Sequence, residues 1–348
     1  MSTIQILFKV ILGLEEVASQ EMNEKLHGIQ LIPSPYGSKG WIKCAIERES
    51  LKDITGLRSI SEAYVILTEA PYGSRFSIDR FADALIKELP LIAPGARKIS
   101  VSAYSNHKKI NQREIQGAIS WRISQKLHAE CNLKDYDTAL RVSLLPKIAI
   151  ATLDLEIQPG NMAKKLETHP TPILPPIAYC MIRLLSPQVN DQLLDPMCGC
   201  GTIPCMAALE WKDLKVTGWD ISADYVSCAK RNAVALGIEN RINFLVTDIT
   251  TLTNQEFKAN IIVFNPPYGL AVPIQEDLEK LYDLIFTAIS KILLDQGRLA
   301  IITPYPHFVE KAIQQKGFQL LHAYYIHEGE LARTIQIIQK SSLKQDFC

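Results

Sequence analysis

Between residues 192 and 303 the chain repeats one rhythm, a short apolar run closed by an acidic or amide residue and then a stretch with helical spacing. QLLDP leads into TIPCMAALEW, VTGWD into DYVSCAKRNAVALG, NFLVTD into a polar segment, and IIVFN into LEKLYDLIFTAISKIL, with RLAIITP following. Apolar runs that each return through a helix are the pattern of a parallel sheet covered on both faces. The last runs, FQLLHAYYI and TIQIIQK, are joined by HEGELAR without an intervening helix. They predict an antiparallel pair at the end of the sheet. The expected fold class is therefore α/β, with a mostly parallel sheet and a C-terminal antiparallel strand.

The first half reads differently. IQILFKVI, WIKCAIE and AYVILTE alternate with the helical stretches LEEVASQEMNEKL and SIDRFADALIKEL, an α+β pattern. A second α+β unit begins near Pro71. There KISVSAY is followed by NQREIQGAISWRISQKLHAE, in which Ile115, Ile119, Ile123 and Leu127 recur at helical spacing, and then by TALRVSLL and IAIATLDLE. Between the halves, QPGNMAKKLETHPTPILPP holds five of the 19 prolines and reads as a linker. At 348 residues more than one core is expected. The predicted division is 1–70, 71–157, a linker over 158–176, and 177–348.

Composition excludes several classes. The 47% apolar and 21% charged contents are those of a globular protein, and no apolar run nears the roughly 18 residues of a membrane span. Lys9, Glu15 and Glu16 interrupt the apolar start, and no small-residue cleavage site follows, so a cytosolic protein without a signal peptide is expected. The eight cysteines form no CxxC pair, and Cys198 and Cys200 have no paired histidines nearby. Free thiols and no metal are the expectation. Net charge is zero, which argues against bulk attraction to nucleic acid, but residues 1–165 hold 22 Lys+Arg against 18 Asp+Glu. The basic excess is local to the first half.

In open sheets, ligands bind beyond the carboxyl ends of the strands, so Asp195, Asp220, Asp248 and Asn265 are the residues to read. In DPMCGCGT, Gly199 and Gly201 allow close backbone approach to a ligand, and Pro204 suits a first helical turn. Pro204 also stands where a GxGxxG fingerprint needs a small residue, and GxxxxGK[ST] is absent, so nicotinamide cofactors and nucleoside triphosphates are disfavoured. Asp220 in GWDIS can accept two ribose hydroxyls and Asp248 in VTDI an adenine amine. Together with the glycines they fit S-adenosyl-L-methionine. In FNPPYG, Pro266 and Pro267 stop the strand and hold Asn265 and Tyr268 rigid. A carboxamide acceptor beside an aromatic face suits a flat polar group.

Residues 165–340 resemble class I S-adenosylmethionine-dependent methyltransferases that modify exocyclic amino groups, on DPMCGCGT, GWDIS, AKRNAVALG, VTDI, NPPYG and LYDLIF. The first half resembles the THUMP RNA-binding module preceded by a ferredoxin-like domain, on its element order, VILGLEEVASQEM and KISVSAY. The whole chain is similar to the THUMP-containing guanosine-N2 methyltransferases of tRNA, through THPTPILPPIAYCMIRLL and HEGELARTIQIIQK. The resemblance implies a Rossmann-like methyltransferase domain over 177–348, a ferredoxin-like domain over 1–70 and a THUMP domain over 71–157. It implies cofactor contacts from Asp195, Pro196, Met197, Gly199, Gly201, Thr202, Asp220, Ile221, Asp248, Ile249 and Asn265. It further implies catalysis by Asn265, Pro266, Pro267 and Tyr268, with the Asn265 oxygen and the Pro266 carbonyl accepting the amine hydrogens and Tyr268 stacking on the base. The implied reaction is methylation of guanosine N2 in tRNA, at position six of the acceptor stem. Where such family members carry GSGT this chain has GCGT, a small-for-small exchange.

Arg97, Lys98, Lys108, Lys109, Arg113, Arg122 and Lys126 face a single acid, Glu114, with Tyr104 and Trp121 interleaved. This stretch reads as a phosphate-binding face for structured RNA, with base identity left to the catalytic pocket. Other readings stand beside it. The rRNA guanosine-N2 enzymes share DPMCG and NPPYG, and NPPY also serves protein glutamine and DNA adenine methylation. A non-catalytic RNA-binding protein is the reading of another class, against which the full set of strand-end residues weighs.

Overall fold

The computed structural model describes residues 3–73, 76–105, 111–155, 167, 172–251, 257–267, 278–314, 316–328 and 331–342. The chain folds as two compact units, one of Met1–Val10 with Ser19–Ile157 and one of Ile11–Ala18 with Gln158–Cys348.

In the first unit the elements are β1 Thr3–Val10, α1 Glu15–Lys25 from Ser19 onward, β2 Ile32–Pro33, β3 Trp41–Glu47, β4 Ile60–Pro71, α2 Ile78–Ile92, β5 Lys98–Ser105, α3 Gln112–Leu127, β6 Glu130–Cys131, β7 Thr138–Leu144 and β8 Ile148–Asp154. The strands form one sheet in the order β2-β3-β1-β4-β8-β7-β5-β6. β4 pairs antiparallel with β1 on one side and β8 on the other. The side chain of Ser77 caps α2 and that of Asn111 caps α3, each satisfying an orphan N–H of the first turn. α2 packs along β4 and α3 along β5, burying Phe81, Leu85 and Leu89 together with Ile115, Ile119 and Ile123. Ile99 and Val101 are buried on β5, so Ser102 and Tyr104 alternate to the opposite face.

The second unit contains α4 Pro175–Leu184, β9 Gln192–Asp195, α5 Thr202–Glu210, β10 Lys215–Asp220, α6 Ala223–Leu236, β11 Ile242–Val246, β12 Ala259–Phe264, α7 Leu278–Ile292, β13 Leu293–Thr303, α8 Pro306–Ile313, β14 Phe318–Glu328 and β15 Leu331–Lys340. The sheet order is β11-β10-β9-β12-β13-β15-β14. Pairings from β11 to β13 are parallel, while β15 runs antiparallel to β13 and to β14, as the helix-free C-terminal pattern predicts. Leu193 and Leu194, neighbours on β9 and both fully buried, join different cores. Leu193 meets residues of α4, α5 and α6, and Leu194 meets residues of α7 and α8. This is the two-sided covering that forces strands to be apolar on both faces. The helix α8, opened by Pro306, is an addition to the sequence reading.

One expectation is corrected. Cys200 and Cys228 are joined as a disulfide, whereas free thiols were expected throughout. Twenty-eight residues separate them, and the strand–helix return between loop and α6 brings them together, which no CxxC spacing could signal. Cys44, Cys131, Cys180, Cys198 and Cys205 are free. No helix among the described residues is long and apolar enough to cross a membrane.

Candidate active site

The sheet order makes β9 the turning point. The chain winds from β9 outward to β10 and β11, then crosses back to β12 on the other side of β9. A crevice opens at such a point because the loops after the two adjacent strands diverge. The residues that close these strands meet there, around a cavity of about 380 Å³.

Asp195 closes β9 and is only 1% exposed. Its Oδ1 accepts the Met197 N–H at 3.1 Å. Burial pushes its carboxyl well above the usual carboxylate range, the nearby Asp220 charge adds to this, and the Met197 N–H opposes it. Asp220 closes β10. Its Oδ2 accepts the Gly199 N–H at 2.8 Å and its Oδ1 the Ser222 N–H at 2.9 Å, so each oxygen keeps a lone pair for a ligand. Asp248, after β11, accepts both the N–H and the hydroxyl of Thr250 through Oδ1, at 2.8 and 2.7 Å. Asp248 also lines the cavity. Asn265, after β12, has an Oδ1 shielded from solvent that accepts no hydrogen bond among the described residues.

Of the sequence-predicted cofactor residues, Asp195, Pro196, Met197, Gly199, Thr202, Asp220, Ile221, Asp248, Ile249 and Asn265 line this cavity, as do Pro266 and Pro267. Gly201 does not line it. Its φ of 85° favours glycine, and a Cβ there would lie 2.9 Å from Ala229 Cβ and 3.2 Å from the Phe244 ring. Its place is thus explained by loop-to-helix packing. Tyr268 lies outside the described residues. Ile173, Cys198, Tyr225, Thr247, Leu281 and Leu284 also line the cavity and were not singled out from sequence. Leu281 and Leu284 sit inside the LYDLIF run, whose amphipathic spacing was a usable signal.

The lining carries three carboxyl groups, of which buried Asp195 holds its proton most tightly, and, among the described residues, no Lys, Arg or His. Such a set repels the phosphates of a nucleotide and favours a cationic ligand. Carboxylate acceptors for a ribose diol, an exposed Ile221 side chain at 70% and the close backbone of Gly199 fit S-adenosyl-L-methionine, whose sulfonium is positive. Groups of three or more metal-ligating side chains are absent among the described residues.

In the first unit the predicted basic face is divided. Arg122 is held by Asp79 and Asp83, at 2.7 and 2.6 Å, and Lys98 is paired with Asp135. Arg97, Arg113 and Lys126 make no ion pair among the described residues, and Lys108 and Lys109 lie outside them. Sequence reading missed a second cavity, of about 450 Å³, lined by Tyr36, Trp41, Tyr64, Tyr104 and Arg141. Arg141 lies over the Tyr64 ring at 5.1 Å and donates to its hydroxyl at 3.1 Å. These residues come from a short turn at Pro35–Gly37 and from strands far apart in sequence, so no local motif marks them.

Residues 163–334 match the family model described as UPF0020, RMKL-like, methyltransferase domain. A tRNA (guanine(6)-N2)-methyltransferase of Archaeoglobus fulgidus is 28% identical over 233 residues, 59% of this chain and 59% of that enzyme. The match thus spans under two thirds of that relative. Among solved structures, TrmN from Thermus thermophilus superposes with a TM-score of 0.80 at 22% identity, covering 97% of this chain and 99% of that one. SMU.472, crystallised in complex with SAH, gives 0.73 at 17% identity over 97% and 98%. Residues 163–334 thus match a methyltransferase-domain model, and the chain shares its fold with TrmN and SMU.472.

Proposed function

We propose that the protein methylates the N2 amine of guanosine in tRNA, at position six of the acceptor stem, using S-adenosyl-L-methionine. The observation that carries this is the Asn265 Oδ1, a buried acceptor without a partner on the wall of the cofactor cavity. A buried carbonyl left unpaired costs free energy, and an amine donor from a substrate base restores the missing bond. The name of the Archaeoglobus fulgidus relative supports the choice of guanosine, position and tRNA.

When bound, the cofactor supplies an electrophilic methyl on a positive sulfur. The residues of this chain do the positioning. Asn265 Oδ1 and the Pro266 carbonyl accept the two hydrogens of the base amine, whose lone pair is otherwise delocalised into the ring. Held this way, the nitrogen would be free to pyramidalise and to present its lone pair to the methyl group that the cofactor would supply. Pro266 and Pro267 have no N–H to compete and little backbone freedom, so the acceptors are preorganised. Tyr268 stacks on the base. The amine proton leaves after transfer, so no dedicated general base is needed. A paired guanosine must leave its stack to reach Asn265, at a cost of a few kcal/mol offset by these contacts.

RNA is held by the first unit, read as ferredoxin-like and THUMP domains over 1–70 and 71–157. Arg97, Lys98, Lys108, Lys109, Arg113, Arg122 and Lys126 form the proposed phosphate face, with Arg97, Arg113 and Lys126 its open charges among the described residues. The aromatic cavity around Arg141 adds a surface suited to unpaired bases. A cytosolic location accords with this substrate. The test is incubation of the purified chain with methyl-labelled cofactor and unmodified tRNA or protein-free rRNA, followed by nucleoside mapping. Label in N2-methylguanosine at tRNA position six is expected. Label confined to rRNA or to adenosine would overturn the substrate and leave the methyltransferase domain standing.

A further inference from the structure

Asn232 lies on α6, 1% exposed, with its amide engaged from both ends. Nδ2 donates to the Cys200 carbonyl and to the Glu167 carbonyl, each at 2.9 Å, and Oδ1 accepts the Glu167 N–H at 2.8 Å. Toward Glu167 the amide behaves as a peptide group of a neighbouring strand, pairing with both the N–H and the C=O of one residue. Arg231, the preceding residue, adds two bonds to the Glu167 carboxylate, at 2.9 and 2.6 Å. That ion pair is more than half exposed on both sides, so it contributes little.

Cys200 sits between Gly199 and Gly201, in the turn whose preceding residues Cys198 and Gly199 line the cofactor cavity. Six residues after Glu167 comes Ile173, 6% exposed, which lines the same cavity. One buried carboxamide therefore holds both a carbonyl of the glycine loop and the backbone of Glu167. The Cys200–Cys228 disulfide ties the same loop to α6 through a side chain, and the Asn232 amide holds the Cys200 carbonyl.

We propose that Asn232 is a positioning residue for cofactor binding, coupling the backbone of Glu167 to the glycine loop so that docking of Glu167 and occupancy of the cavity favour each other. This rests on reading the cavity as the S-adenosylmethionine site. Linkage makes the coupling reciprocal, so an occupied cavity must protect the Glu167 N–H that Asn232 accepts. A residue that only stabilised the fold would lower the melting temperature without linking that N–H to the ligand.

The experiment uses the full chain and S-adenosyl-L-homocysteine, with calorimetric titration and hydrogen exchange at the Glu167 amide. Asn232→Asp keeps the shape and Oδ1 but sets a carboxylate oxygen against two carbonyls. Glu167→Pro removes the N–H that Oδ1 accepts, and Glu167→Ala removes only the exposed ion pair. The expected dissociation constant rises at least tenfold in Asn232→Asp and at least threefold in Glu167→Pro, and stays within twofold in Glu167→Ala. Homocysteine-cofactor binding should slow Glu167 exchange at least tenfold in the parent and leave it unchanged in Asn232→Asp. A folded Asn232→Asp with parent affinity overturns the proposal, as does equal weakening in Glu167→Ala. If Asn232→Asp does not fold, parent affinity in Glu167→Pro overturns it. A parent that binds no ligand in the first titration instead removes the cofactor reading, and this proposal with it.

Discussion

The Asp220 carboxylate, at the end of β10, accepts the Gly199 N–H of the loop after the neighbouring strand β9, at 2.8 Å. The glycine loop is thus shaped by an acid that lines the same cavity. In the proposed function, that one side chain both holds the loop and meets the ribose.

Replacing Asp220 with alanine removes both its loop bond and its ligand acceptor. Affinity for S-adenosyl-L-homocysteine should fall about 30-fold, or about 2 kcal/mol, as for hydrogen bonds to a charged group. The melting temperature should also drop, because the Gly199 and Ser222 N–H groups lose their acceptor. Titration calorimetry and a thermal scan check the two effects. Parent affinity in this variant would contradict the assignment.

Asn265→Ala should separate stability from turnover. Its Oδ1 has no partner to lose in the free protein, so the stability change should stay within about 1 kcal/mol. Cofactor affinity should stay near the parent value, while the single-turnover rate on tRNA should fall about 100-fold or more, in the range of lost transition-state acceptors. A variant that keeps the parent rate at saturating RNA would leave the amine clamp without support.

Asp195 gives the free protein a pH signature. Its folded carboxyl holds a proton to higher pH than the unfolded one, so above the ordinary carboxylate pKa the native state binds more protons. Its contribution to stability is full below that unfolded pKa and is lost as pH rises through the raised folded value. Asp195→Asn, neutral at every pH, should therefore gain stability over the parent as pH increases from 4 toward neutrality. Thermal scans of the two cofactor-free proteins across roughly pH 4 to 8 read this difference, and a constant offset would refute it.

In the first unit, Arg122→Ala should cost at most about 1 kcal/mol of stability and leave the salt dependence of RNA binding as it was, because its charge is already spent on Asp79 and Asp83. Arg113→Ala and Arg141→Ala should each weaken RNA binding and lower the salt slope by about one. Filter binding over a series of salt concentrations distinguishes them. Equal slopes in all three variants and the parent would place the RNA elsewhere.

The catalytic unit was legible because its information is local. Each strand closes with its own acid or amide, and parallel order alone brings Asp195, Asp220, Asp248 and Asn265 to one crevice. What stayed hidden depends on pairs distant in sequence. The amide of Asn232 reads as one polar residue in a helix until Glu167, 65 positions earlier, is seen against it. The basic helix looked uniform because Asp79 and Asp83, which neutralise Arg122, come from α2 rather than α3. Gly201 was assigned to ligand approach, yet Ala229 on α6 supplies the steric reason for it.

Residues 11–18 belong with the second unit, and this bears on the order in which the chain folds. Ile11, Leu14 and Val17 are buried in a core whose other members include Ile326, Ile335 and Ile337, and the Leu12 carbonyl accepts the His327 N–H at 3.2 Å. A Cβ on Gly13 would fall 2.0 Å from the Tyr325 carbonyl, so position 13 fits its place only as glycine. Three apolar side chains thus gain their native cover only from strands about 300 positions further along the chain. Closing so long a span costs entropy before any contact rewards it, so this short segment is expected to dock among the last parts of the second unit to order.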